Sequence, residues 1–117
     1  MTRVQSDQAV AFLFYWKAHA PMGAPLPIDE FEFDRHLKRR HRFDFAWPYK
    51  KVAVEVNGNA WHTKGGGRHG KDDDLEKMNL AVSLGWKVFQ FSPKMLKDDP
   101  AACVDMVVKA LRLEKAP

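Results

Sequence analysis

Apolar positions along the chain change their period several times, and each change marks an element. In "AVAFLFYW" (Ala9–Trp16), Phe12, Leu13 and Trp16 stand at helical spacing. Ser6 or Asp7 can cap that helix, which should run to about Ala20 and stop at Pro21. "PMGAPLP" reads as a loop, and "FEF" (Phe31–Phe33) alternates as a short strand. Two further strands, Arg42–Trp47 and Lys51–Asn57, flank the turn "PYKK". After the glycine-rich segment "TKGGGRHGK" a helix is expected to open on the acid run Asp72–Asp74, which suits a positive helix end. It should end at Leu84, with Gly85 as its left-handed terminal residue. "WKVFQF" is a strand, and Asp99-Pro100 caps and starts a last helix reaching about Leu113. The order α-β-β-β-α-β-α predicts one α/β domain over residues 1–117, a mixed central sheet flanked by helices.

The hairpin breaks its own pattern. Side chains alternate along a strand, so Phe43, Phe45 and Trp47 should share one face and Asp44 and Ala46 the other. In the next strand Val52, Val54 and Val56 point one way, and Ala53, Glu55 and Asn57 the other. A four-residue turn at Pro48–Lys51 then pairs Trp47 with Val52, Ala46 with Ala53 and Phe45 with Val54. Asp44 falls opposite Glu55. Like charges in that relation destabilise a sheet, and one carboxyl tends to stay protonated unless a cation lies between them. The small Ala46 and Ala53 would leave room for a cation and a substrate, and oxygen ligands of this kind suit Mg²⁺. The plainer alternative is two solvated acids on a wet sheet face.

The helix in "DDDLEKMNLAVSLGW" is polar on nearly every side at first, then apolar nearly all round through Leu80, Ala81, Val82 and Leu84. Such a helix is buried at its far end and delivers Glu76, Lys77 and Asn79 at its near end. A cation at Lys77 opposes the helix dipole, so a dipole-favoured helix start does not account for it.

Length and charge narrow the class. A chain of 117 residues, 45% hydrophobic and 29% charged, fits a single soluble globule. Its longest apolar run is too short to cross a bilayer, so no membrane partner is expected. A single cysteine, Cys103, excludes an internal disulfide and fits a reducing cytoplasm. His62, His69 and Cys103 have no zinc spacing. The net charge of +4 is modest, but "RHLKRRHR" (Arg35–Arg42) holds five Arg/Lys and two His in eight positions. Lys64, Arg68, His69 and Lys71 form a second basic set. Two basic segments around an acidic pair would frame phosphates, although a basic run is equally a solvated loop.

Taken together, "RFDFAWP…KVAVEVNG…GRHG…EKMNLAVSLGWKVFQFSP" resembles the small single-domain nucleases of the PD-(D/E)XK superfamily. It is nearest the branch around the very-short-patch-repair endonucleases and the short phage and prophage endonucleases. The resemblance spans about Glu30 to Lys94 and implies a restriction-endonuclease-like fold and a Mg²⁺-dependent DNA endonuclease, with Mn²⁺ able to substitute. Asp44 and Glu55 would be the metal acids, with the Val56 carbonyl a further ligand. His69 and Arg68 would hold the scissile phosphate. Arg35, Lys38, Arg39, Arg40, Arg42, Lys64 and Lys71 would contact the DNA backbone. Glu30, Asn57, Glu76 and Asn79 would be auxiliary, Glu30 or Glu32 matching an acid frequent ahead of the first basic segment. The superfamily's lysine two residues after the glutamate is missing, with Asn57 in its place, and Lys77 would replace it from the following helix. Rival expectations are a nuclease fold that binds nucleic acid without cutting, a His-Asn-His nuclease using "WHTKGGGRHG…N", and a module with no nucleic-acid partner. The sequence is silent on substrate: junctions, mismatches, nicked duplex and a short specific site all fit, and a junction would call for a homodimer. If phage-encoded, the protein would work in the bacterial host cytoplasm.

Overall fold

Trp47 pairs with Val52, Ala46 with Ala53 and Phe45 with Val54, the register that the apolar alternation predicts. The turn between them is a 3₁₀ turn at Pro48–Lys50 followed by Lys51 in the left-handed region (φ 52°). The structure, a computed structural model, describes residues 7–56 and 67–113, and the backbone alone at residues 8 and 67–71. The elements are α1 (Asp7–His19), β1 (Ile28–Glu32), β2 (Arg42–Trp47), β3 (Val52–Val56), α2 (Gly67–Ser83), β4 (Lys87–Phe91), α3 (Pro93–Asp98) and α4 (Pro100–Leu111). They form an α/β domain on a mixed four-stranded sheet of order β1-β2-β3-β4. The first two pairings are antiparallel, and β3 runs parallel to β4 through the α2 crossover.

Each sheet face carries its own core. Phe45, Trp47, Val52 and Val54 pack with Phe12 and Trp16 of α1 and with Val104, Val107, Val108 and Leu111 of α4. The stripe at 104, 107, 108 and 111 has helical spacing, so α4 buries one side. Trp16 and Trp47 lie 4.8 Å apart, and both indoles donate to the Pro25 carbonyl, at 3.2 and 3.0 Å. That shared acceptor satisfies two buried N–H groups. The opposite face packs Ala46 and Ala53 beneath Ala81 of α2, with Phe33, Phe43 and Trp86 beside them.

Several expectations change. Phe43 and Phe45 pack into different clusters, not on one face. The switch falls where β1 carries Glu30 in the left-handed region (φ 50°). The β1–β2 pairs run from Asp29–Phe45 to Phe31–Phe43 without joining Glu30 to Asp44, and such an irregularity re-aims side chains. The alanines leave no room for a substrate, because α2 lies directly on them: Ala46, Ala53 and Ala81 are all fully buried. β1 begins at Ile28, before "FEF", and Pro93–Asp98 forms an unexpected short helix capped by Ser92, whose Oγ accepts from Met95 N–H at 3.1 Å. α2 starts at Gly67, so Asp72–Asp74 lie beyond its first turn. Glycine weakens a helix by roughly 1 kcal/mol without forbidding it. Val82 of the apolar end is 69% exposed. Gly85 (φ 89°) terminates α2 as expected, and Asp99 caps α4. No helix among the described residues is long and apolar enough to cross a membrane.

Candidate functional site

Register carried one step past Phe45–Val54 places Asp44 opposite Glu55, and there the two strands stop pairing through backbone alone. The Asp44 backbone N–H donates to Glu55 Oε2 at 3.0 Å, and the Val56 N–H donates to Asp44 Oδ2 at 2.7 Å. Each acid therefore satisfies a backbone donor on the other's strand. A carboxylate that accepts such bonds is held in one orientation. The β2–β3 ladder stops at this end, while β3 keeps its pairing with β4 through Glu55–Gln90 and Val56–Phe91.

Lys77 reaches the pair from α2. It lies one helical turn before Ala81, on the same helix face, and Ala81 packs against the sheet with Leu80 and Leu84 beside it. Its ammonium donates to Glu55 Oε1 and lies 5.6 Å from the centre of the Phe43 ring. Both partners are largely enclosed, the Lys77 side chain at 15% and the Glu55 side chain at 9% exposure. Burial pushes the Glu55 carboxyl above its ordinary value of 4.5. Lys77 opposes that shift, and the charge of Asp44 adds to it. The chain thus supplies one cation to Glu55, which only partly offsets burial and the charge of Asp44.

Two more polar groups lie beside the pair. Glu30, half-buried, falls between the Asp29–Phe45 and Phe31–Phe43 pairs that flank Asp44, and Gln90 is the ladder partner of Glu55 on β4. Asp44, Glu55 and Gln90 thereby line up across β2, β3 and β4, with Glu30 at the β1 irregularity beside them. Val88, two residues from Gln90, belongs to the α2-side cluster, so Gln90 faces that side too. Sequence reading passes over Gln90 because one polar residue in "WKVFQF" looks like ordinary alternation. Its significance comes only from pairing β4 beside Glu55.

Other expected site residues separate from this row. Glu76 turns to the basic loop and pairs with Arg39, and Asn79 is exposed and makes no hydrogen bond to the acids. Arg42 lies 3.8 Å from Glu32. Arg35, Lys38, Arg39 and Arg40 line an open cavity of about 360 Å³ with Glu32. Arg68, His69 and Lys71 fall in the first turns of α2, but their side chains lie outside the described set, as do Asn57 and Lys64 entirely. A further pair that the sequence does not suggest is Asp34 with His41. Asp34 is fully buried, and its carboxylate lies 2.5 Å from His41 Nδ1.

Among the described residues no group of three or more His, Cys, Asp or Glu side chains could hold a metal ion. The donors present are hard carboxylate oxygens on adjacent strands. Mg²⁺ takes one or two such carboxylates and completes its shell with water and substrate phosphate, so the donor set fits. Fold and site together define an α/β domain with an acid pair, one member paired to a lysine, where β2 and β3 stop pairing. Compared with known proteins, the chain matches no family model, no curated protein and no solved structure.

Proposed function

We propose that this protein is a metal-dependent DNA endonuclease that hydrolyses phosphodiester bonds. The observation that carries the reading is the contact of Lys77 with Glu55 beside Asp44. Two acids and a lysine around one point are the groups that phosphodiester hydrolysis needs: oxygen ligands for a divalent cation and a fixed positive charge. The likeness of the hairpin and of the Gly67–His69 and Glu76–Asn79 segments to the PD-(D/E)XK nucleases supports the same reading.

Asp44 and Glu55 would hold Mg²⁺, with the Val56 carbonyl as a further ligand. A metal bound there polarises the phosphate and lowers the pKa of its water. Lys77 stands where it can orient that water or offset the charge that develops on the phosphate. It supplies the cation that Asn57 does not. Arg35, Lys38, Arg39 and Arg40 would position the DNA backbone, with Lys64, Arg68, His69 and Lys71 on the other side of the acids in sequence. Branched, nicked or otherwise structured DNA in phage or bacterial DNA processing is the substrate class to test first, and a junction among these would call for a homodimer.

The test is cleavage of a panel of junction, flap, mismatched, duplex and single-stranded DNA with Mg²⁺ or Mn²⁺. Asp44→Ala, Glu55→Ala and Lys77→Ala should each remove most cleavage and leave DNA binding intact. Near-normal turnover by Asp44→Ala or Glu55→Ala would overturn the site. Metal-independent binding with no cleavage of any substrate would leave a nucleic-acid-binding protein instead.

A further inference from the structure

Asp34 is fully buried at the start of the basic loop, and it bonds to three later points of that loop. Its backbone carbonyl accepts from the N–H groups of Leu37 (3.0 Å) and Arg39 (3.3 Å). Its carboxylate accepts from the backbone N–H of His41 at 3.0 Å and lies 2.5 Å from His41 Nδ1. The His41 ring stacks on Phe33, with 6.1 Å between centroids and 20° between planes. Arg39 is tied to Glu76 of α2, and Lys38 takes the left-handed conformation (φ 61°) that closes the 3₁₀ turn. A loop fastened at its start, middle and end is not a loose basic tail. Its backbone is set before any ligand arrives, and the exposed side chains of Arg35, Lys38 and Arg40 extend from that fixed frame.

Those cations converge. Arg35, Lys38, Arg39 and Arg40 share one cavity of about 360 Å³ with a single acid, Glu32, which itself lies near Arg42. Among the described residues Arg35, Lys38 and Arg40 have no carboxylate partner. A duplex backbone is convex and spaces its single charges along a line, so a line of cations would serve it. Several cations around one concavity suit one compact group of higher charge. A terminal phosphate monoester carries about −1.5 to −2 at neutral pH, against −1 for a backbone diester.

We propose that loop 35–40 is a preformed cup for the terminal phosphate of a nucleic-acid strand, with Asp34 and His41 as the clasp that positions it. The proposal rests on the nucleic-acid part of the reading above and on none of its catalysis. The cup recognises an end, a role separate from that of the acids at Asp44 and Glu55.

The test is fluorescence anisotropy in EDTA with one short duplex in three forms: 5′-phosphorylated, 3′-phosphorylated and unphosphorylated. Wild-type protein should bind one phosphorylated form more tightly by roughly tenfold, the scale of one charge-assisted hydrogen bond; which form shows the gain identifies the end. Arg35→Ala with Arg40→Ala, both exposed, should abolish that preference without lowering the melting temperature. His41→Phe keeps the ring on Phe33 and removes the clasp, so it should reduce the preference. Added to the double variant, it should cause no further loss. Equal binding of all three forms by wild type would overturn the cup alone. No binding of any form would overturn the nucleic-acid reading and the cup with it. Full preference retained in His41→Phe would overturn the clasp.

Discussion

Asp44 and Glu55 hold each other's strands: the Asp44 N–H donates to the Glu55 carboxylate at 3.0 Å, and the Asp44 carboxylate accepts the Val56 N–H at 2.7 Å. Backbone pairing between β2 and β3 is replaced at this point by side-chain acceptors. Two acids in that relation repel, and Lys77, brought onto Glu55 by the helix above, partly offsets the repulsion. The contact that closes the sheet is thus the one that gathers the candidate chemistry.

Glu55 should make stability depend on pH in a defined direction. Burial, with Asp44 adding, outweighs Lys77 and raises its folded-state pKa above 4.5. The stability contributed by the protonated form is complete below that ordinary value and is lost as pH rises through the folded value. Glu55→Gln, uncharged throughout, should therefore melt with wild type in acid and above it at neutral pH. The expected gain is on the order of 0.5–1 kcal/mol, the scale of a cross-strand charge pair. Melting curves in EDTA from about pH 4 to about pH 8 measure it; a constant offset between the two proteins would contradict it.

Lys77→Met keeps much of the aliphatic stem and removes the charge. Glu55 and Asp44 then face each other without a cation, so neutral-pH stability should fall on the order of 1–2 kcal/mol. The loss should shrink in acid, where Glu55 takes up a proton. Urea unfolding at two pH values separates this from a packing defect, which would be the same at both.

Ala81 is where α2 rests on Ala46 and Ala53, all three fully buried. Ala81→Leu should cost about 1–3 kcal/mol through overpacking. It should also lift Lys77, one turn away, from Glu55. Cleavage should fall further than the folded fraction accounts for. Activity that follows the folded fraction would show that the helix seat does not set the lysine.

Gln90 tests whether the polar row extends to β4. It is exposed, and Gln90→Ala should leave stability within about 0.5 kcal/mol. If Gln90 helps to position substrate beside Glu55, cleavage should drop roughly tenfold, the loss of about 1.4 kcal/mol of transition-state stabilisation. Unchanged kcat/KM would confine the site to Asp44, Glu55 and Lys77.

Local signals in the sequence determine much of this protein. The alternation around "PYKK" sets the hairpin register, because a slip of one residue would turn every large apolar side chain to the wrong face. Asp99-Pro100 and Gly85 mark helix ends through their own backbone chemistry. The Asp44–Glu55 relation follows from that register, whereas the dipole argument for Lys77 fails, because α2 begins at Gly67 and Lys77 lies in its middle, beyond the reach of the helix-end charge. Tertiary structure decides the rest. The covering of Ala46 and Ala53 depends on where α2 docks, which the alanines permit by being small but do not announce. Phe43 leaves the face of Phe45 because β1, a separate segment, takes a left-handed residue between the pairs that flank Asp44. Gln90 joins the acids only because the α2 crossover returns β4 parallel to β3. Asp34 and His41 meet because a 3₁₀ turn folds the basic run back on itself. Short-range pattern records which face a residue prefers, and only packing between segments distant in sequence determines what that face meets.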